Sequence, residues 1–215
     1  KISTGDTDNM DVDTDFKKIA GVKEGSQQYY DLEQKTDVYS LNSGRVLEKI
    51  GINKKTEIPK KLDVSYIVID NKPHLNRNGL SYLARKSKEL YIITTNQDHP
   101  AYKLKKEFSN IEILKYKNTI NLVDVLKKLN HKHGINKITI QTGGSMNALW
   151  LRAGLVDKVS IVIAPVLIGG KNTSSLIGGE SLHAPAELAK IKALKLIKCN
   201  ILKDSYIHLQ YDVLN

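Results

Sequence analysis

Between Val64 and Thr142 the chain alternates short apolar runs with amphipathic stretches. "VSYIVID" (Val64–Asp70), "LYIITT" (Leu90–Thr95), "IEILKY" (Ile111–Tyr116) and "KITIQT" (Lys137–Thr142) read as strands. "GLSYLARKSK" (Gly79–Lys88), "AYKLKKEF" (Ala101–Phe108) and "INLVDVLKKLNHKHG" (Ile120–Gly134) read as helices. The last has Leu122, Val125, Leu126 and Leu129 on one stripe and Gly134 as its stop. Before this region, a helical stretch from Gly25 leads to a strand over Asp37–Leu41. Strands alternating with helices predict a mostly parallel sheet covered on both faces. The tail, "KIKALKLIKCNILKDSYIHLQYDV", instead gives two long strands around "LKD", an antiparallel hairpin at the edge of that sheet. The expected class is α/β: a mostly parallel sheet, helices on both faces and an antiparallel C-terminal hairpin. No linker or repeat interrupts residues 1–215, so a single domain is expected.

The stretch from Ile140 to Gly170 carries the strongest local signal. The strand ends in Thr142-Gly143-Gly144-Ser145, and a helix follows with Met146, Leu149, Trp150 and Ala153 on one face and Gly154 as its stop. Ser145 is the expected N-cap. "VSIVIAPVLIGG" then reads as a strand buried on both faces, with Pro165 at an edge or bulge and Gly169-Gly170 opening a loop. A helix N-terminus beyond a parallel strand presents free N–H groups and partial positive charge, which suits a pyrophosphate. Glycines without Cβ let such a ligand come close. A glycine pair also simply makes a tight turn, and spacing alone does not choose. The pattern is not G-x-G-x-x-G. "GGKNTSS" is not a Walker motif either, because Pro165 replaces its first glycine and Asn172 follows Lys171.

Composition narrows the function classes. The net charge of +10 comes almost entirely from lysine, with Arg45, Arg77, Arg85 and Arg152 the only arginines. The lysines are spread along helical faces without the aromatic and arginine clusters of a nucleic-acid platform. No nucleic-acid partner is expected, although the positive field favours a phosphorylated ligand. No apolar run approaches the roughly 20 residues of a membrane span, and no signal-peptide core stands at the start. With a single cysteine, Cys199, a cytoplasmic setting fits. "DVDTDF" has acids at loop positions for calcium, but Phe16 and Val22 stand where Gly and Glu are required, so a flexible acidic loop is expected. His131 and His133 belong to a lysine-rich surface, and His74, His99, His183 and His208 are isolated, so no metal site is expected. Tyr29, Tyr30 and Trp150 read as core. With neither nucleophile nor metal in view, the chemistry points to a bound organic cofactor.

"GGSMNALWLRAGLVDKVSIVIAPVLIGGKNTSSLIGGESL" resembles the reductase domain of bacterial riboflavin biosynthesis, with its Gly-Gly turn, "GLVDE"-like helix end, "APxLIGG" and "SLxxGE" segments. "KIST" is similar to the end of that family's "SLDGKI", and "LNSGRV" falls at its "GxGTV"-like turn. The resemblance implies a dihydrofolate-reductase-like fold, a homodimer, NADPH as cofactor, and reduction of the ribosyl group of 5-amino-6-(5-phosphoribosylamino)uracil to ribityl. It implies pyrophosphate contacts at Gly143, Gly144, Ser145 and Met146. Ser43, Gly44 and Arg45 would lie along the cofactor, Thr94 and Thr95 near its adenosine 2′-phosphate, and Gly169 and Gly170 near the nicotinamide. Lys1 matches a substrate-side lysine and, with Asp6, is the candidate for polarising or protonating the sugar. Three departures stand out. Thr142 replaces a glutamate, "EKIGINKK" (Glu48–Lys55) lacks an expected arginine, and the family's first strand would precede Lys1, so a trimmed N-terminus is expected. No zinc deaminase signature is present, so a stand-alone reductase is expected. Reduction of a related pterin-like or carbonyl substrate, nucleotide binding without catalysis, and basic RNA binding are the alternatives.

Overall fold

The computed structural model describes residues 15–33, 37–170 and 173–214. In chain order the elements begin with α1 (Ser26–Glu33), β1 (Tyr39–Ser43), α2 (Gly44–Lys49), β2 (Ser65–Ile69), α3 (Arg77–Lys86), β3 (Leu90–Thr94) and α4 (Ala101–Leu104). They continue with β4 (Ile111–Lys115), α5 (Leu122–His133), β5 (Thr139–Ile140), α6 (Gly144–Arg152), β6 (Lys158–Ile163), β7 (Ala193–Ile201) and β8 (Ile207–Leu214). Two compact units result. One is Thr36–Gly143; the other comprises the described residues of Lys1–Lys35 and Gly144–Asn215.

The first unit is the expected parallel sheet, in the order β4-β3-β2-β1-β5. Its β3 is buried at all five positions, as a strand covered on both sides must be. On one face Val68, Leu90, Ile92 and Ile111 pack with Leu80, Leu83 and Ala84 of α3 and with Ala101 and Leu104 of α4. On the other face, the Tyr91 ring meets His133 of α5 edge-on at 4.8 Å. Helices therefore cover both faces. Each fully buried leucine or isoleucine contributes roughly 1.5–3 kcal/mol of transfer free energy.

Local chemistry sets the helix limits. Asn76 and Asn121 cap α3 and α5 by accepting from Gly79 N (2.9 Å) and Asp124 N (3.1 Å). Gly134 ends α5 in the left-handed region, φ 66°. Several boundaries differ from the sequence pattern. β1 lies two residues later than expected. β5 is only two residues long, because it is an edge strand paired with Ser40 and Leu41 alone. α4 covers only the first half of Ala101–Phe108, and turns complete it.

In the second unit the C-terminal hairpin forms as β7 and β8 around a turn in which Asp204 and Ser205 take positive φ. It does not extend the parallel sheet. It joins β6 in a separate antiparallel sheet, β6-β8-β7. This corrects the reading of Val159–Ile163 as a strand buried on both faces. An antiparallel sheet need not be covered on both sides, and β6 exposes residues of either face, Lys158 and Ser160 on one and Ile163 on the other. The register places Lys158, Ser160, Lys195, Lys198, His208, Gln210 and Asp212 on one face. Val159, Ile161, Leu194, Leu196, Leu209 and Tyr211 lie on the other. Trp150 of α6 is fully buried, as expected. Tyr29 is not: it is 41% exposed and stacks edge-on with Tyr30. α1 buries no residue of its own. Its start is held instead by Gln28, which accepts from Lys203 N (2.8 Å), and by the Tyr206 ring lying on Gly25.

His208 is 3% exposed; its Nε2 pairs with Ser160 Oγ at 2.8 Å, and Nδ1 has no hydrogen-bond partner among the described residues. Burial, with Lys198 nearby, pushes its pKa below the ordinary value. The unfolded chain therefore binds a proton here that the folded chain rejects. Stability is full above about pH 6.5 and is lost as pH falls below it. The melting temperature should drop between about pH 7.5 and about pH 5.5, and His208→Asn should flatten that slope. An equal slope in both proteins would show that His208 does not set it.

Candidate functional site

All five strands of the first unit point the same way, so their carboxyl ends share one edge. The chain leaves β1 through α2 for β2 on one side, proceeds outward to β4, and returns through α5 to β5 on the other side of β1. The strand order thus reverses between β1 and β5, and the loops leaving these two strands diverge. Ligands of open parallel sheets sit in that crevice. Ser43, Gly44 and Arg45 leave β1 there, and Gly143 follows β5 on the other side. Thr94 and Thr95 end β3, two strands away on the same edge.

Each of these residues has a defined setting. Ser43 caps α2, its Oγ accepting from Val46 N at 3.3 Å. Arg45 is exposed on the first turn of α2. Thr94 is buried; its hydroxyl donates to Asp70 O (2.9 Å) and accepts from Asn96 N (3.1 Å). Thr95 is half-buried, and its N–H is taken by Asn71 Oδ1 at 3.0 Å.

The glycines separate into two kinds. A Cβ on Gly143 would meet only Val46 Cγ2, at 3.8 Å, and would otherwise project into open space. The backbone there is exposed, so nothing among the described residues obstructs close approach of a ligand. Gly44 and Gly144 are packing glycines. A Cβ on Gly44 would overlap the Asp70 carboxylate, and one on Gly144 would overlap the carbonyl oxygen of Ser175.

α6 starts at Gly144, so Ser145 is the second residue of its first turn and not its N-cap. Met146 is half-buried, whereas Leu149 is 54% exposed; the buried pair is Ala148 and Trp150. The helix is strapped by the segment 175–180. Gly178 N donates to Gly144 O (3.0 Å), Asn147 Nδ2 to Leu176 O (3.0 Å) and Arg152 Nη2 to Glu180 O (2.7 Å). Gly179 takes φ 84° to lie against Ala148. Gly169 faces open space. Gly170 has φ 112°, in a turn closed by Thr173 Oγ1 donating to Gly169 O. Lys1 and Asp6 lie outside the described residues.

Sequence reasoning missed Asp70 and His99. Asp70 ends "VSYIVID" and is 1% exposed. Its carboxylate accepts from His74 N (3.0 Å), Leu75 N (3.1 Å) and His99 Nε2 (3.1 Å). The single available signal was an acid closing an otherwise apolar strand. At the opposite, amino edge, Glu89, Tyr91, Ser109, Glu112 and His133 line a hollow of about 320 Å³. Its two glutamates disfavour an anionic ligand.

The glycine assignment predicts opposite behaviour of neighbouring positions. Gly144→Ala should cost about 1–3 kcal/mol of stability by urea denaturation, whereas Gly143→Ala should cost less than about 0.5 kcal/mol. The reverse order would contradict the assignment.

A profile of the RibD C-terminal domain matches residues 50–203. The chain is 37% identical over 87 residues to the riboflavin biosynthesis protein RibD of Actinobacillus pleuropneumoniae, covering 40% of this chain and 23% of that protein. It is 32% identical over 73 residues to a 2,5-diamino-6-ribosylamino-4(3H)-pyrimidinone 5′-phosphate reductase of Methanothermobacter thermautotrophicus, covering 34% and 33% respectively. These matches thus span a third or less of the relatives' own length. Among solved structures, RibD of Acinetobacter baumannii superposes with TM-score 0.66 at 14% identity, over 90% of this chain and 52% of that one. A pyrimidine reductase-like protein of Corynebacterium diphtheriae gives TM-score 0.64 at 16% identity, over 90% and 82%. These structures share the fold, the dihydrofolate-reductase-like arrangement of a parallel sheet with an antiparallel C-terminal hairpin. With 154 of its 215 residues matched, the chain belongs to the RibD C-terminal domain family.

Proposed function

We propose that the chain is an NADPH-dependent reductase that converts the ribosyl group of a riboflavin-pathway aminopyrimidine 5′-phosphate to ribityl. The observation that carries the reading is the crevice between β1 and β5, where Gly143 leaves open space beside α2 in a chain of this family. When bound, the nicotinamide supplies a hydride for C1′ of the opened ribose. The protein's own part is positioning and electrostatics. Gly143 and the first turn of α6 (Gly144, Ser145, Met146) receive the pyrophosphate through backbone amides. Ser43, Gly44 and Arg45 line the cofactor, with the exposed Arg45 guanidinium as a cation for phosphate. Thr95 is assigned to the adenosine end, with the buried Thr94 bracing it from beneath, and Gly169 and Gly170 to the nicotinamide end. Lys1 and Asp6 are assigned to the sugar, where a proton must accompany the hydride.

The substrate follows from the relatives' names in one of two forms. The ring carries a 2-amino group in the pyrimidinone named for the Methanothermobacter protein and a 2-oxo group in the uracil that the family resemblance implies. Thr142 favours a second reading in which the same scaffold reduces a related pterin-like or carbonyl compound, since a threonine cannot supply a glutamate's charge. The proposed assembly is a homodimer. Ile163, Leu194, Leu196 and Ile201 leave an apolar, exposed strip on the second sheet that a second copy would cover. No described helix is long and apolar enough to cross a membrane, and a cytoplasmic setting is proposed for the activity.

NADPH absorbance followed with each pyrimidine in turn tests the reading. Oxidation of NADPH on addition of one of them is expected, with NADH a poorer donor. Binding of NADPH without turnover of either pyrimidine would leave the second reading, and absence of NADPH binding by the folded chain would overturn both.

A further inference from the structure

Asp70 joins three loops of the carboxyl edge at once. Its Oδ1 accepts from His74 N and its Oδ2 from Leu75 N, which fixes the chain leaving β2. Its Oδ2 also meets His99 Nε2, and its carbonyl oxygen accepts from Thr94 Oγ1, which fixes the chain leaving β3. Gly44, the first residue of α2, lies directly against the carboxylate, so the chain leaving β1 is fixed by contact. Both side chains of the Asp70–His99 pair are fully shielded from solvent.

The hydrogen bonds assign the histidine's proton. His99 Nδ1 accepts from Ala101 N at 3.2 Å, so the ring proton lies on Nε2 and is donated to Asp70. Asp70 therefore accepts three N–H groups as a carboxylate, an arrangement an amide cannot copy. Whichever way an asparagine turned, its NH₂ would face another donor and leave a buried group unsatisfied.

We infer that Asp70, through His99, is the positioning residue for the adenosine end of the cofactor: its carboxylate holds Gly44, at the start of α2, and the loop 95–99 that begins with Thr95 in fixed places on one edge. The inference rests on the reductase reading, and neither residue touches the reacting atoms. Loosening one anchor would let the β1 and β3 loops move independently, so the loss falls on the ligand that must contact both.

The experiment compares the full chain with its Asp70→Asn, His99→Gln and doubly substituted forms, titrated with NADPH and with adenosine 2′,5′-bisphosphate, which carries the adenosine end alone. Each single variant should weaken both ligands by the same factor, about tenfold for loss of one charge-assisted hydrogen bond. The double variant should lose little more, because the pair acts as one unit. In turnover, the KM for NADPH should rise while kcat is retained, a split that general unfolding would not give. If Asp70→Asn does not fold, as a melting curve would show, His99→Gln carries the comparison. Equal affinities in all forms, or weakening of NADPH without weakening of the bisphosphate, would overturn the inference. Failure of the unsubstituted chain to bind NADPH would instead overturn the reductase reading beneath it.

Discussion

The first sheet depends on how β5 is held against β1. Only Ser40–Thr139 and Leu41–Ile140 pair, and Gln141 N adds one bond to Leu41 O at 2.7 Å. Two ladder positions do not fix an edge strand by themselves. A buried polar network completes the attachment. Gln141 Nε2 donates to Asp37 Oδ2 at 2.6 Å, and Asn42 Nδ2 donates to Ser40 Oγ at 3.0 Å, with Ser40 Oγ itself 3.5 Å from Gln141 Oε1. Asp37, Ser40 and Asn42 are all buried, so breaking any of these bonds strands a polar group away from water. Where the network holds Gln141, it also holds Gly143 two residues on. The place of the candidate site is thus a consequence of side-chain chemistry in the most polar part of an otherwise apolar sheet.

Two demands meet at that edge. The backbone must approach a ligand at some positions and must pack tightly against itself at others. Gly143 leaves open space where the proposed ligand would approach; Gly44 and Gly144 meet the second demand. Gly44 admits the Asp70 carboxylate, and Gly144 admits the 175–180 strap that braces α6. Adjacent glycines therefore differ in setting: a side chain at Gly144 would collide with backbone, whereas one at Gly143 would meet open space. The same division explains why Thr94 and Thr95 differ: the first spends its hydroxyl on holding the edge together, while the second keeps its hydroxyl for other partners.

Much of this was readable in the chain. The alternation of apolar runs with amphipathic stripes located β2, β3, β4, α3 and α5 to within about two residues, helped by the asparagine caps of α3 and α5 and the glycine stop of α5, whereas α4, which has neither signal, fills only half of its expected span. The long β7–β8 hairpin was equally plain. Reading failed where distant partners decide. His99 stood as an isolated histidine because its partner, Asp70, is 29 residues away. Gly143 and Gly144 could not be told apart because the strap that distinguishes them arrives more than 30 residues later. β6 read as doubly buried because its apolar content was high, yet antiparallel pairing with β8 put Ser160 and Lys158 toward water. Periodicity reports which residues avoid water; it does not report which backbone comes close to which.

The most direct test of the central claim, that the crevice between β1 and β5 receives the cofactor, is a backbone amide NMR titration with NADPH. The account predicts that shifts concentrate at Ser43, Gly44, Arg45, Thr95 and Gly143, with the amino edge unmoved. Shifts centred instead on Glu89, Tyr91, Ser109 and Glu112, with the carboxyl edge silent, would contradict it.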